Sequence, residues 1–431
     1  MKSVMLWGFH SPGCAKVAGI LSKHGLAVDV WVGDRPECTH NIFEIINLNF
    51  DYSWVRSSCP EYEKIYGSIS VFIEMYSRHS KKYANSVYHD FVNSFYIYSS
   101  YFQSLLEEKR IQAVFFSNIP HEGPDFIVYT LAKIMGIRVF IFTQSIFPNK
   151  YFIIDTIEDY GVFNSSPHLE NSEKAKIEKT HRKNLVYMKN YQPYKYGIRE
   201  LLANISKFRR DEIFFGLWKY KRFQKYKKNL DSLAKAVIPS DVKYVYFPLH
   251  LQPEMTTAAL GGMYSDQICA LEKLSCLLPE GWLIYIKENP KQTEYMRDNL
   301  FFRRLRRLRN VRLVSIDSDT YQLISKSQFV ATITGTAGWE AITGGKCALI
   351  FGNAWYSDYP GVFRYQAGLD LNRIANTRIN HMEVESHFNM MINKMGVGVV
   401  DELYSTQVNN YHSETNNLAI AQTIVSLINS I

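Results

Sequence analysis
No stretch of this sequence approaches the roughly 20 apolar residues that a helix needs to cross a membrane. The opening Met1-Lys2-Ser3-Val4-Met5-Leu6-Trp7-Gly8 reads as a β-strand ending in a turn, not as a signal peptide. These absences predict a cytoplasmic protein. Cysteine is sparse, and Cys14, Cys38, Cys59, Cys269, Cys276 and Cys347 form neither a C-x-x-C pair nor zinc-ligand spacing. Reduced thiols packed as small hydrophobes are expected, with no disulfide and no structural metal. There is no internal repeat and no low-complexity tract. No recognisable nucleic-acid-binding module accompanies the net charge of +8, so nucleic acid is not an expected partner.

What is present describes a folded α/β protein. At 431 residues, 46% of them hydrophobic, the chain exceeds what one core organises and predicts two domains. Strand-like runs at Ser3–Trp7 and Ala27–Val32 flank a helical stretch near Cys14–His24. Val114–Phe116 and Val139–Phe142 flank another near Asp125–Met135. After Pro148 the alternation loosens through a charged helical stretch over 170–190. It resumes with strands at Val242–Phe247, Trp282–Lys287, Val311–Ser315, Phe329–Thr332 and Cys347–Phe351. The architecture this predicts is two Rossmann-like doubly wound domains facing across a cleft. The boundaries read are a first domain over 1–205, a basic aromatic linker over 206–240, a second domain over 241–405, and a C-terminal helix over 406–431 that returns to the first domain.

The excess charge is concentrated. From Phe208 to Asn229 the chain reads FRRDEIFFGLWKYKRFQKYKKN, with Lys and Arg interleaved among aromatic rings. Such a segment suits an anionic membrane surface, or an interdomain helix with one solvated face.

The most informative stretch runs from Val330 to Ile342 (VATITGTAGWEAI), where an apolar strand stops at small and hydroxyl residues and enters a helix. Free N–H groups and the positive end of the helix dipole there suit a phosphate. Gly335 allows close approach, Thr334 and Thr336 offer hydroxyls, and Glu340 lies one turn inside, within reach of a ribose. Ligands of parallel sheets bind beyond the carboxyl ends of strands. Three further strand ends carry unusual chemistry: Phe247–Glu254 with Gln252 and Glu254, Ile286–Pro290 with Lys287 and Asn289, and Phe351–Tyr356 with Tyr356.

The series FPLHLQPE, LPEGWLIYIKENP and TGTAGWEAITGGKCALIFGNAWY resembles the capsule polysaccharide biosynthesis family of bacterial glycosyltransferases, which includes β-Kdo and nonulosonic acid transferases. The resemblance spans about residues 244–365. It implies a GT-B fold like that of sialyltransferases and a CMP-activated 2-keto sugar acid as donor, with no metal or other cofactor. Donor binding then falls to Gln252, Lys287, Asn289, Thr334, Gly335, Thr336, Glu340 and Tyr356. The family's Lys-Glu-His-Pro motif puts a His near the donor phosphate. Here Asn289 stands in its place, which cannot carry a proton or a positive charge, and Lys287 is left to supply the charge. The resemblance also implies an acidic residue after Gln-Pro, which is Glu254. Its carboxylate would attack or stabilise the anomeric carbon; a helix cap and an acceptor contact are the alternatives.

In the first domain, Ser117 to Asp125 packs a His, a Glu and an Asp into one loop after a strand. Asp125 reads as a helix N-cap, leaving Glu122 as general acid or base and His121 to orient it or bind the donor carboxylate. His10, after the first strand, is an acceptor contact or a plain loop histidine. The function read is transfer of a CMP-linked ulosonic acid (pseudaminic, legionaminic or sialic acid, or Kdo) onto a surface glycan at the inner face of the cytoplasmic membrane. Two alternatives share the features: a UDP-sugar-dependent transferase or epimerase, and a non-enzymatic polysaccharide-binding or export protein.

Overall fold
The computed structural model describes residues 1–11, 13–52, 61–77, 87–163, 175–177, 210–234 and 241–429. Cys59 and the stretch over 170–190, apart from 175–177, lie outside them. The chain divides into two compact units, Met1–Ala175 with His387–Ile431, and Lys176–Ser386. The return to the first unit thus comes at His387, earlier than the boundary read at 405.

The first unit contains β1 (Lys2–Trp7), β2 (Leu26–Gly33), β3 (His40–Asn41), β4 (Ala113–Phe116), β5 (Arg138–Gln144) and β6 (Lys150–Ile154). The second contains β7 (Tyr244–Pro248), β8 (Leu283–Lys287), β9 (Val311–Leu313), β10 (Phe329–Thr332), β11 (Ala348–Ile350) and β12 (Val362–Arg364), after which β13 (Gly396–Val397) belongs again to the first. The first sheet has the order β13-β6-β5-β4-β1-β2-β3, parallel from β5 through β3, with β6 antiparallel to both β5 and the edge strand β13. The second, β12-β11-β10-β7-β8-β9, is parallel throughout. Counted from its own first strand, this is the 3-2-1-4-5-6 order of dinucleotide-binding folds. Both units therefore have the Rossmann-like doubly wound fold read from the sequence.

The second sheet is covered on both faces, which is why its strands read as continuous apolar runs. Val245, Phe247, Ile284, Ile286, Phe329 and Ala331 point to one side, into a core completed by Phe223, Ile268, Leu271, Phe302 and Leu305 from helices. Their neighbours Tyr244, Tyr246, Tyr285 and Val330 alternate to the other side, against Leu323, Ile324, Ala337 and Ala341. Fully burying one such aliphatic or Phe side chain contributes about 1.5–3 kcal/mol. In the first unit Val4, Leu6, Phe115 and Phe142 pack with Val17 and Leu21 of the helix Ala15–Lys23 and with Ile420, Ile424 and Leu427 of the last helix, Ser413–Asn429.

At the end of β1, Gly8 takes φ +87°, and a Cβ there would lie 1.9 Å from the Ser117 hydroxyl oxygen. Only glycine lets β1 leave the sheet so close to the end of β4. The helix Tyr88–Glu108 was not visible in the sequence pattern, because its buried positions include Ser94, Ser99, Ser100, Gln103 and Ser104.

Candidate functional site
The second sheet reverses its strand order between β7 and β10, so the crevice lies beyond the carboxyl ends of these two strands. The chain leaving β10 passes Ile333 and Thr334 and begins the helix Thr336–Thr343 with Gly335 as N-cap, in extended conformation and with no side chain capping it. The first N–H groups and the positive dipole end therefore open onto the crevice.

The turn is held from several sides. Gly335 N–H donates to Thr332 Oγ1 (3.1 Å), and the Thr334 hydroxyl donates to the Thr256 carbonyl (2.8 Å), which ties the Glu254–Thr256 segment to the turn. The Tyr356 hydroxyl donates to the Gly335 carbonyl, its ring entirely buried. Gly338 makes room for that ring, since a Cβ there would stand 2.2 Å from the Tyr356 oxygen. Tyr356 thus buttresses the turn from within the protein.

On the β7 side, His250 is buried, with Nε2 3.1 Å from Thr332 Oγ1, its N–H donating to Gln267 Oε1 (2.7 Å) and its carbonyl accepting from Gln267 Nε2 (3.0 Å). Burial, reinforced by the nearby Arg297 charge, pushes its pKa down to about 4, so the ring is neutral at pH 7. Because the folded value lies below the unfolded one near 6.5, this stability is complete above about pH 6.5 and is lost as pH falls toward 4. The loss amounts to about 3 kcal/mol. Denaturant unfolding at pH 7 and pH 4 will show wild type losing about that much more than His250→Asn; parallel losses would refute the burial account.

Beneath both loops lies Arg297, wholly inaccessible. Its Nε donates to Glu288 Oε2 (2.9 Å), Nη1 to Gln252 Oε1 (2.6 Å) and Nη2 to the His250 carbonyl (3.1 Å). One guanidinium fork fixes the ends of β7 and β8 together. The Gln252 amide nitrogen donates to the Ser265 carbonyl, so both ends of that amide are used inside the protein. Gln292 completes the network by accepting from Gln252 N–H (2.9 Å) and donating to its carbonyl (3.2 Å).

Lys287, half-buried at the end of β8, donates to the Ser318 carbonyl (2.6 Å) and Thr320 Oγ1 (3.0 Å). Burial lowers its pKa, against the opposing pull of Asp317 and Asp319. Asn289 Oδ1 accepts from Lys291 N–H (2.9 Å) and its own N–H donates to Glu288 Oε1 (2.9 Å), a turn that fixes the loop after β8. Glu254 is exposed at the start of the short helix Met255–Ala258, its N–H donating to Thr257 Oγ1 (3.3 Å). Glu340 is half-buried, and its charge acts on Tyr246 and Tyr321. The four strand ends singled out in the sequence thus converge on one crevice edge. Arg297, Glu288, Gln292, Gln267 and His250 went unassigned; only the Pro and polar density around them signalled their loops.

In the first unit, the helix after β4 begins at Pro124 with Gly123 as N-cap, two residues before the expected cap at Asp125. Asp125 still organises the loop: its carboxylate accepts the N–H groups of His121 (2.7 Å), Glu122 (2.8 Å) and Phe126 (2.8 Å). Burial raises its pKa. His121 and Glu122 are half-buried, and Nδ1 of His121 donates to the Ile119 carbonyl, which leaves Nε2 as the outer nitrogen. His10 lies after β1 with Nδ1 3.5 Å from Asp34 Oδ1, and its carbonyl accepts from Arg35 Nε (2.9 Å).

Fold and crevice together define a two-unit Rossmann-type α/β protein with a glycine–threonine turn and an uncapped helix start at the switch point of its second sheet. The chain belongs to the capsule polysaccharide biosynthesis protein family, whose model matches residues 164–397, more than half of its length. No curated protein matches it. Among solved structures it is similar to the β-Kdo 2,7 transferase of Thermosulfurimonas dismutans KpsC, with 14% identity over 74% of this chain and 88% of that one and a TM-score of 0.35. It is also similar to the UDP-GlcNAc 2-epimerase of Methanocaldococcus jannaschii (9% identity, 91% and 99% covered, TM-score 0.26). A third is Anabaena HepE in complex with UDP-glucose (10% identity, 100% of both chains, TM-score 0.26).

Proposed function
We propose that the protein is a metal-independent glycosyltransferase that moves a CMP-activated ulosonic acid, a nonulosonic acid or Kdo, onto a growing surface glycan at the inner face of the cytoplasmic membrane. The observation that carries this reading is the uncapped helix start at Gly335 and Thr336, at the switch point of a 3-2-1-4-5-6 sheet. Membership of the capsule polysaccharide biosynthesis family supports the substrate class. In this reading the helix N–H groups and the Thr336 hydroxyl take the donor phosphate, and Glu340 takes the ribose. Lys287 acts as a nearby positive charge held by Ser318 and Thr320.

Glu254, at the rim of the same crevice, attacks or stabilises the anomeric carbon as its bond to the phosphate breaks. Glu122 of the first unit exchanges the proton of the acceptor hydroxyl, with His121 beside it and His10 contacting the acceptor. The test is donor turnover: purified protein should release CMP from CMP-Kdo or a CMP-nonulosonic acid while leaving UDP-GlcNAc intact. Release of UDP with no release of CMP would overturn the reading.

A further inference from the structure
The helix Arg210–Leu233 has two faces with different tasks. Phe223 and Tyr226 are buried in the core of the second unit, where Leu230 and Leu233 pack behind them and the Tyr226 hydroxyl donates to the Gln292 carbonyl (3.3 Å). At 100° per residue, Leu217, Lys221 and Lys228 point directly away from that stripe, flanked by Trp218 and Lys225. All five are exposed, Leu217 by 36% and Trp218 by 50%. From 217 to 230 the sequence holds 6 cations and no Asp or Glu. Arg222 lies over the Trp218 ring, its Cζ 4.5 Å from the centroid.

We propose that this outward face docks the protein on an anionic lipid surface, with the lysines over the headgroup phosphates and Trp218 and Leu217 at the boundary with the acyl chains. An exposed Trp and Leu among unbroken positive charge fit an interface that is anionic outside and apolar beneath. A nucleic acid offers the charge without the apolar phase. The arginine-rich stretch from Arg303 to Arg312 differs, because Arg304 there is neutralised by Asp266 (2.6 Å) and Glu272 (2.7 Å), and Arg306 donates to Asn229 (2.7 Å). Since the inner face of the helix is built into the core of the second unit, docking would hold that unit and its crevice at the membrane. The biological use of this surface rests on the transferase reading above, but its readout involves no sugar.

The experiment is flotation of the full-length protein with vesicles of neutral phosphatidylcholine and with vesicles containing phosphatidylglycerol, at low and high salt. The protein should float with the anionic vesicles only, and less at high salt. Neutralising a lysine near such a surface costs about fivefold in partitioning, so Lys221→Gln with Lys225→Gln and Lys228→Gln should lose on the order of a hundredfold. Trp218→Ala should weaken binding further. The matched control, Arg303→Gln with Arg307→Gln and Arg309→Gln, removes the same charge elsewhere and should float nearly as wild type. Equal binding to neutral vesicles, an equal loss in the control, or capture of duplex DNA without vesicle binding would each overturn the proposal. If CMP is released from donor while flotation fails, the docking surface alone is lost.

Discussion
Replacing Arg297 by Met will destabilise the second unit by about 3–5 kcal/mol, the range for removing one partner of a buried ion pair. The guanidinium is 0% exposed and the Glu288 carboxylate 2%, so the substitution leaves an uncompensated charge where water cannot reach. It also strips Gln252 Oε1 of its Arg297 donor and leaves the His250 carbonyl with Gln267 Nε2 alone. In a unit of this size the melting temperature should fall on the order of 10 °C. The comparison that isolates burial is Arg304, whose bridges to Asp266 and Glu272 are solvent-screened and whose replacement by Ala should cost about 1 kcal/mol or less. Arg297→Met combined with Glu288→Leu should recover much of the loss, since no lone charge then remains. Differential scanning calorimetry of the four proteins checks this; Arg297→Met melting alongside Arg304→Ala would contradict it.

Glu122→Gln and Glu254→Gln will each lower the rate of CMP release in the presence of acceptor by about 10²–10⁴-fold, the usual contribution of a positioned acid, base or nucleophile. Glutamine keeps the shape and one hydrogen-bonding oxygen but neither attacks carbon nor takes a proton. CMP affinity should stay within a few-fold of wild type for both, because neither side chain is assigned to the nucleotide. Steady-state kinetics separate this from a binding role. A catalytic carboxylate lowers kcat and leaves KM nearly unchanged, whereas an acceptor contact raises KM and spares kcat. Full activity in both variants would refute the catalytic assignment of these two carboxylates.

The parts of the molecule governed by local pattern were readable from sequence. β10 was read at its observed bounds, Phe329–Thr332, because an apolar run bounded by Gly and Thr has few other solutions. The remaining parallel strands of both sheets, apart from the short β3 and β12, were found within a few residues of their bounds, as runs buried on two faces. What escaped depends on distant partners. β6 pairs antiparallel with β5 and with β13, whose two residues lie far along the chain, and no periodicity marks such an edge. The helix Tyr88–Glu108 carries serines and a glutamine inward, which removes the apolar stripe that identifies a helix. At the site, the strand-to-helix turn at Gly335 was legible because glycine and threonine between strand and helix have a local backbone meaning. Arg297 was not: it sits in an ordinary YMRD segment, and only the fold brings Glu288, Gln252 and His250 to one guanidinium. The basic segment was read as suiting either an anionic membrane surface or an interdomain helix with one solvated face, and the structure gives its described residues one buried and one exposed face.

Calorimetric titration of the purified protein with CMP and with UDP, repeated on Thr336→Ala, tests the central claim most directly. The account predicts that CMP binds and UDP does not. Losing the Thr336 hydroxyl should weaken CMP about 10-fold to 100-fold, as expected for a hydrogen bond to a charged group. Binding of UDP alone would move the protein to the UDP-sugar class. No heat from either nucleotide would contradict the transferase account altogether.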